Sequence, residues 1–193
     1  RLCRERNIAQ PLRHIILLAA LWHDADYPAP LDEEDFESKE HRSAELAHQA
    51  IMYTGSLESS DGTQRLMIAD KVASLIISTR DSMAPRDEAE AILNEADLGN
   101  LSGNTLMMLR RSGAYFIEGL LLEERELSGT TEDIVRKHFD ELIQWCPETV
   151  EHLVDMINRK FGKSIIWLTE SAQVTGSRML TNVRTISPAN IIT

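Results

Sequence analysis

Apolar side chains recur along this chain at intervals of three and four residues, which is the spacing of amphipathic α-helices. Strict alternation, the pattern of half-buried strands, is nearly absent. The segments that the pattern predicts as helices are approximately 11–25, 37–54, 62–79, 86–96, 103–127, 131–145 and 147–160. We therefore predict an all-α fold, a single bundle of six to eight helices without internal repeats.

Prolines agree with this segmentation. Pro11 and Pro147 stand where the first turn of a helix tolerates proline, and Pro28 and Pro30 are expected to end a helix. Beyond about residue 170 the pattern weakens into a sequence rich in Thr, Ser and Asn. We therefore predict a helical domain over 1–170. Residues 171–193 would form a C-terminal extension, either docked on that domain or partly disordered.

Composition excludes several classes of protein. The chain has 193 residues, of which 42% are hydrophobic, so it can form a real core and is not of the disordered type. Its longest strongly apolar stretch, Ile15 to Trp22, is shorter than the roughly 18 residues that a membrane span needs. The first residues do not resemble a secretory signal. The two cysteines, Cys3 and Cys146, are far apart and outside any CxxC motif, so we expect a reducing compartment, the cytoplasm.

Charge narrows the choice of partners. Twenty Lys and Arg against 31 Asp and Glu give a net charge of −11. Such a surface repels nucleic acids and anionic membranes. The longest run of basic residues is the pair Arg110-Arg111, so we expect neither nucleic acid nor a membrane as the main partner. A phosphorylated substrate would need local compensation, most simply a bound cation.

A His-Asp pair closes the first long predicted helix. Leu12, Ile16 and Ala19 form an apolar stripe, which His23 extends by one turn, with Asp24 next to it. An ionised Asp buried beside a His costs several kcal/mol unless a cation or hydrogen bonds compensate it. Two adjacent side chains of this kind can both reach a metal where a helix ends. Taken alone, however, the dipeptide is better explained by a helix C-terminal His with a surface Asp.

Two further acids stand beside apolar positions. Asp97 lies between apolar residues at the predicted end of a helix. Glu40 shares a helix face with Ala44, Ala47 and Ile51, so its carboxylate is expected at the edge of an apolar stripe.

Four segments together resemble a known family. The sequences AALWHDADYP, KEHRSAELA, LIISTRD and NEADLGNL are similar to those of the HD-domain superfamily of metal-dependent phosphohydrolases, and in particular to a small bacterial branch. The resemblance covers roughly residues 10–125. It implies an all-helical domain that binds a divalent cation through an H…HD…D set. It also implies hydrolysis of a phosphate mono- or diester, often of a nucleotide.

Carried over by position, the resemblance makes His23, Asp24 and Asp97 ligands of one divalent ion, Mn²⁺, Mg²⁺, Fe²⁺ or Zn²⁺. Asp24, Glu40 and Asp97 are then the candidate catalytic acids, and Asp97 or Glu40 could orient the attacking water or take its proton. Arg80 or Lys71 could pair with phosphate oxygens, although a lysine on an amphipathic helix is typically a solvated residue. The expected partner is a phosphorylated small molecule.

The chain departs from the family pattern at three places. Lys39 stands where the family has Asn, and Ser82 stands where related chains commonly have His, which favours one metal over two. The first His ligand of the family precedes the HD pair by about thirty residues, yet only 22 residues precede His23. His14 is nine residues earlier, half a turn away, and is expected to face away from the metal. The missing ligand is therefore expected upstream of Arg1, or is lost.

Two other functions stay open at this point. A catalytically inactive HD fold could serve as a ligand-sensing or interaction module, and a purely structural helical protein would make the His-Asp pair incidental. The remaining histidines, His41, His48, His138 and His152, are expected to be ordinary surface or packing residues. Met107-Met108 and Leu120–Leu122 are interpreted as core or as packing against a partner helix, which leaves a homodimer open.

Overall fold

The computed structural model describes residues 1–25, 38–53, 62–122, 127–162, 165–166 and 168–192. Within these ranges there is no β-strand, so the predicted all-α class is confirmed. The helices are α1 (Leu2–Glu5), α2 (Gln10–Trp22), α3 (Lys39–Tyr53), α4 (Gly62–Ile77), α5 (Glu88–Asp97), a 3₁₀-helix (Leu98–Ser102), α6 (Thr105–Leu122), α7 (Thr131–Lys137), α8 (Phe139–Phe161), α9 (Glu170–Val183) and α10 (Pro188–Ile192). None of these helices is both long and apolar enough to cross a membrane.

The described part of the chain has ten α-helices, slightly more than the six to eight predicted. Two of the additional helices, α1 and α10, have only four and five residues. The predicted helix start at Pro147 is wrong, because this proline lies inside α8 and the break falls at His138. Leu142 and Cys146 before the proline, and Ile157 after it, are all buried. Packing of this continuous face outweighs the backbone hydrogen bond that a proline removes.

The predicted helix end at Pro28 and Pro30 lies outside the described residues.

Contacts divide the chain into two compact units. The first comprises Arg1–Asp97 with Ile165–Trp167, and the second comprises Leu98–Ser164 with Leu168–Thr193. The segment that the sequence assigned to an extension contains most of α9 and all of α10. In α9, Ala172, Met179 and Val183 are fully buried.

The first unit is built on small residues at its helix contacts. Helix α3 packs along α4, and α2 packs against α3, α4 and α5. Ala19, Ala44, Ala47 and Ala69 are almost completely buried in this core, and such short side chains let helix axes approach closely. Larger side chains fill the remaining space: Ile16, Ile51, Val72, Leu75, Ile76, Ile92 and Leu93. The end of α2, the start of α3 and the end of α5 all belong to this one unit.

The second unit has a separate apolar core. Phe116 of α6 packs on Trp145 of α8, with ring centroids 5.5 Å apart and the planes tilted by 60°. Met108 is buried, whereas its neighbour Met107 is half exposed. Helix α7 begins with a capping box, in which the Thr130 hydroxyl accepts from the backbone of Asp133 and the Asp133 carboxylate accepts from the backbone of Thr130.

Candidate functional site

The imidazole of His23 lies between two carboxylates. His23 follows the last residue of α2, and its Nε2 is 3.3 Å from Oδ2 of Asp24. The same Nε2 is 3.4 Å from Oδ1 of Asp97, the final residue of α5. The structure therefore brings together the three residues that the sequence proposed as metal ligands, although they come from two distant segments.

The other ring nitrogen fixes the orientation of this imidazole. Nδ1 of His23 lies 3.0 Å from the carbonyl oxygen of Ala20. A carbonyl only accepts hydrogen bonds, so Nδ1 carries a proton and Nε2 is the nitrogen that faces the acids. A backbone partner of this kind is the usual support of a metal-ligating histidine.

The surroundings favour positive charge at this ring. The pKa of His23 lies above its ordinary value of 6.5. The hydrogen bond with Asp97 is the main cause, and burial opposes it. The charges of Asp24 and Asp97 and the Ala20 hydrogen bond raise the pKa further. In a site without a metal, a proton at Nε2 supplies the positive charge that the two carboxylates require.

Helix α3 contributes two more charged groups. Nζ of Lys39 is 3.7 Å from Oδ1 of Asp24 and 3.8 Å from Oε1 of Glu40. The side chain of Glu40 is 12% exposed, whereas that of Lys39 is 47% exposed. Glu40, Ala44, Ala47 and Ile51 are all buried along α3, as the sequence predicted for this face. We name the group His23, Asp24, Lys39, Glu40 and Asp97 the imidazole cluster.

Lys39 is the member of the cluster that sequence reasoning missed. The resemblance marks Lys39 only as a departure from the Asn of the family pattern. Its position immediately before Glu40 was a usable signal, because the first turn of a helix that places Glu40 near the His-Asp pair places its neighbour nearby as well.

Hydrogen bonds from buried polar groups hold α5, which carries Asp97. The Asn94 amide donates to the carbonyl oxygens of Glu90, at 2.8 Å, and Ser78, at 3.3 Å. The Glu90 carboxylate, only 2% exposed, accepts from the Arg86 guanidinium at 2.6 Å and from its backbone N–H at 2.7 Å. These contacts attach α5 to the end of α4 and to the loop between them.

A buried ion pair attaches the same helix to the chain start. Arg6, which follows α1, donates to the carboxylate of Glu95, and their side chains are 6% and 8% exposed. Burial raises the pKa of Glu95, and the charge and hydrogen bond of Arg6 oppose that rise. Glu95 is two residues before Asp97, so this pair fixes the helix end that bears the acid.

Other predicted site residues lie in different surroundings. Lys71, proposed as a phosphate partner, pairs instead with Asp87 at 2.8 Å. Arg80 and Ser82 lie in the turns that follow α4, where Ser82 is exposed. His14 is exposed on α2. His48 forms a separate pair with Asp70, at 3.1 Å between Nε2 and Oδ1.

A surface groove of about 300 Å³ lies along α4 and the loop that follows it. Its lining residues are Asp70, Ala73, Ser74, Ile77, Met83 and Arg86. No member of the imidazole cluster lines this groove. Since Arg86 is already bound to the buried Glu90, we do not assign the groove a role in the chemistry of the cluster.

The donor types at the cluster suit a divalent cation. Two ligand atoms, each about 2.1 Å from one ion, lie roughly 3–3.5 Å apart, and the distances from Nε2 to the two carboxylates fall in this range. As placed, however, no three or more His, Cys, Asp and Glu side chains in the described ranges are arranged to hold a metal together. The contacts present are between Nε2 of His23 and one oxygen of each carboxylate, and the metal-ligand assignment stays a prediction.

Comparison with known proteins adds no family assignment. No protein-family model matches the chain, and no curated protein and no solved structure matches it. The likeness to the HD-domain superfamily therefore depends on the four quoted segments, and on no matched relative.

Proposed function

We propose that the chain is an HD-type, metal-dependent phosphohydrolase that cleaves a phosphate mono- or diester, with a nucleotide as the expected substrate. The observation that carries this proposal is the orientation of His23, whose Nδ1 is bound to Ala20 while Nε2 faces Asp24 and Asp97. Without a proton or a metal ion, the lone pair of Nε2 would face two negative charges. The arrangement thus requires a cation.

In this proposal His23, Asp24 and Asp97 hold one divalent ion, whose identity is open among Mn²⁺, Mg²⁺, Fe²⁺ and Zn²⁺. Such an ion supplies positive charge for phosphate oxygens and lowers the pKa of water. The helix ends favour both the metal ion and the phosphate. Helices α2 and α5 end at the cluster, and their negative C-terminal ends favour a cation, whereas α3 begins there and its positive N-terminal end favours an anion.

Glu40 is the proposed proton acceptor. Its side chain is 12% exposed, and it contacts Lys39 at 3.8 Å. During hydrolysis the oxygen of a water forms a bond to phosphorus while the ester P–O bond breaks. One proton of the water passes to the Glu40 carboxylate, and Glu40 then returns this proton to the leaving oxygen, which regenerates the carboxylate. Asp97 would be held in its place by the contact with His23, which leaves Glu40 as the better base.

The second candidate function is a metal-free ligand-binding module on the same fold. Two observations favour it. No three-ligand group is present among the described residues, and the Lys39 ammonium already supplies positive charge beside Asp24 and Glu40. This module would bind a phosphorylated ligand without hydrolysing it.

Either function places the protein in the cytoplasm in our proposal, with a phosphorylated small molecule as its partner. Cys3 and Cys146 are both free and buried. Burial raises the pKa of the Cys146 thiol to about 11, so this side chain stays protonated and unreactive at neutral pH.

Calorimetric titration with Mn²⁺, followed by assays with an aryl phosphate and nucleoside monophosphates, tests the proposal. His23→Gln should abolish both Mn²⁺ binding and turnover. His48→Gln is the matched control, because His48 also pairs with an Asp through Nε2 and is 29% exposed against 23% for His23. Turnover that survives His23→Gln would refute the enzyme proposal. Phosphate-ester binding by the wild type without Mn²⁺ binding would establish the metal-free module.

A further inference from the structure

Helix α6 of the second unit carries apolar side chains on two opposite faces. The inner face, buried in the core of that unit, contains Met108, Phe116 and Leu120. On the outer face Met107 and Leu121 are 50% and 55% exposed, and the exposed Ala114 lies seven residues from each. Seven residues are close to two helical turns, so these three side chains form one straight row, which we name the α6 stripe. An outward apolar stripe of this kind indicates that the helix binds another surface.

The charged residues beside the α6 stripe indicate what that surface is. Arg110 lies about one turn before Ala114, and Glu118 lies about one turn after it. Neither of these two charged side chains forms an ion pair with another described residue. A second copy of α6 that runs antiparallel to the first and crosses it at Ala114 brings Arg110 level with the partner's Glu118. The same register brings Met107 level with the partner's Leu121.

We propose that the α6 stripe is the contact surface of a homodimer, in which the two α6 helices pack antiparallel and cross at Ala114. The stripe is then complementary to itself in both shape and charge, as a twofold interface requires. Ala114 has the smallest side chain of the stripe, so the helix axes can approach closely at the crossing point. This inference goes beyond the proposed function and does not depend on the imidazole cluster.

Charge favours the antiparallel orientation over the parallel one. In a parallel pair each residue lies level with its own copy, so Arg110 and Arg111 would lie beside the same two arginines of the partner subunit. Like charges across an interface oppose association. In the antiparallel pair both arginines lie instead within reach of the partner's Glu118, and the twofold axis repeats this contact at the other end.

The size of the stripe predicts a weak dimer. Helix α6 has 18 residues and is therefore about 27 Å long. Leu106 and Tyr115, both at least half exposed, border the stripe on either side and widen its apolar area. One pair of helices of this length still buries less than the roughly 1,600 Å² of a standard interface. We therefore expect a Kd on the order of 10–100 μM.

Sedimentation equilibrium of the full chain, from about 5 μM to about 1 mM, tests the interface. The wild-type mass should rise with concentration from the 21.8 kDa of one chain towards twice that value. Met107→Glu and Leu121→Lys each place a charge against an apolar side chain of the partner and should each raise the Kd at least about tenfold. The matched control is Val174→Lys on α9, at a position that is 51% exposed, and it should change the Kd by less than about twofold.

An equimolar mixture of the Met107→Glu and Leu121→Lys chains tests the orientation. In an antiparallel heterodimer the new carboxylate lies opposite the new ammonium at one end, and the original Met-Leu contact remains at the other. Association in the mixture should therefore recover to within about threefold of the wild type, whereas a parallel pair would gain nothing. Each new charge also has an opposite charge on its own helix, Arg111 or Glu118, so far-UV circular dichroism should show unchanged helicity.

Glu118→Lys tests the charged part of the contact. It places a lysine beside the partner's Arg110 and Arg111 at both ends of the dimer, so we expect the Kd to rise about tenfold. Glu148→Lys is the matched control, because it changes the net charge equally at an exposed position of α8, and it should change the Kd by less than about twofold.

Three results would overturn the inference. A wild type that keeps the mass of one chain up to about 1 mM excludes the homodimer. A dimer whose Kd is unchanged by Met107→Glu and Leu121→Lys does not use the α6 stripe. A mixture of these two variants that associates no better than either alone contradicts the antiparallel register. None of these measurements involves a metal or a phosphate ester, so their failure is distinguishable from failure of the proposed function.

Discussion

The buried pair of Arg6 and Glu95 offers a quantitative test of how α5 is held. Replacement of Arg6 by Met keeps most of the apolar stem and removes the guanidinium. Glu95, whose side chain is 8% exposed, then loses its buried partner. Loss of one member of such a pair costs about 3–5 kcal/mol. We expect about 3 kcal/mol for Arg6→Met, near the low end, because Glu95 can take up a proton instead of remaining charged.

The pH dependence of this loss is the more specific part of the prediction. Burial already raises the pKa of Glu95 in the folded protein, and removal of Arg6 takes away the charge that opposes the rise. The folded variant therefore tolerates the neutral Glu95 carboxyl better than the ionised carboxylate. The difference in unfolding free energy between Arg6→Met and the wild type should be largest above the pKa that Glu95 has in the folded variant. It should shrink as the pH falls through that value.

Urea denaturation followed by far-UV circular dichroism, at pH 7 and again at pH 5, measures both effects. The double variant Arg6→Met with Glu95→Leu should recover most of the lost stability, because no charge is then left in the apolar surroundings. A loss below about 1 kcal/mol at pH 7 for Arg6→Met, or a loss that does not shrink at pH 5, would refute this explanation of the pair.

Two further predictions concern packing and protonation. Gly176→Ala should lower stability by about 1–3 kcal/mol in thermal denaturation, because its Cβ would lie 2.5 Å from Cβ of Phe161. Gly119→Ala, in an open position inside α6, should instead raise stability by about 0.5–1 kcal/mol, and equal effects of the two changes would contradict the packing argument. In chelator-treated protein, protonation of His23 stabilises the fold because the folded state raises the pKa of this side chain. This stabilisation is fully present below about pH 6.5, and it is lost as the pH rises through the folded-state pKa. The unfolding free energy of the wild type should therefore fall relative to His23→Gln over that interval, and parallel pH profiles would show that the acids do not hold the proton.

Local pattern was sufficient for most of the helices. The predicted segments 37–54, 62–79 and 86–96 correspond to α3, α4 and α5 within two residues at each end. The break between α7 and α8 was misplaced, because proline is a local signal, whereas the buried face that carries α8 through Pro147 depends on packing. Helix α9 was missed for the same reason. Its Ser- and Thr-rich sequence has a weak apolar pattern, yet Ala172, Met179 and Val183 are fully buried.

The candidate site, too, could be predicted from the sequence only in part. His23, Asp24, Glu40 and Asp97 were identified because short motifs and helix ends mark them, and the structure places them in one cluster with Lys39. Sequence spacing alone could not show which basic side chain accompanies them, and it suggested Lys71 or Arg80. Which acid a lysine pairs with depends on residues that are distant in the sequence. Lys71, for example, pairs with Asp87 from the loop before α5.

The most direct test of the site is pulsed electron paramagnetic resonance of the protein loaded with one equivalent of Mn²⁺. The spectrum reports a nitrogen that is coordinated to the ion. We expect the coupling of a single imidazole nitrogen in the wild type and in His48→Gln, and its loss in His23→Gln. Mn²⁺ bound without any nitrogen coupling, or a coupling that persists in His23→Gln, would contradict the placement of a metal at Nε2 of His23.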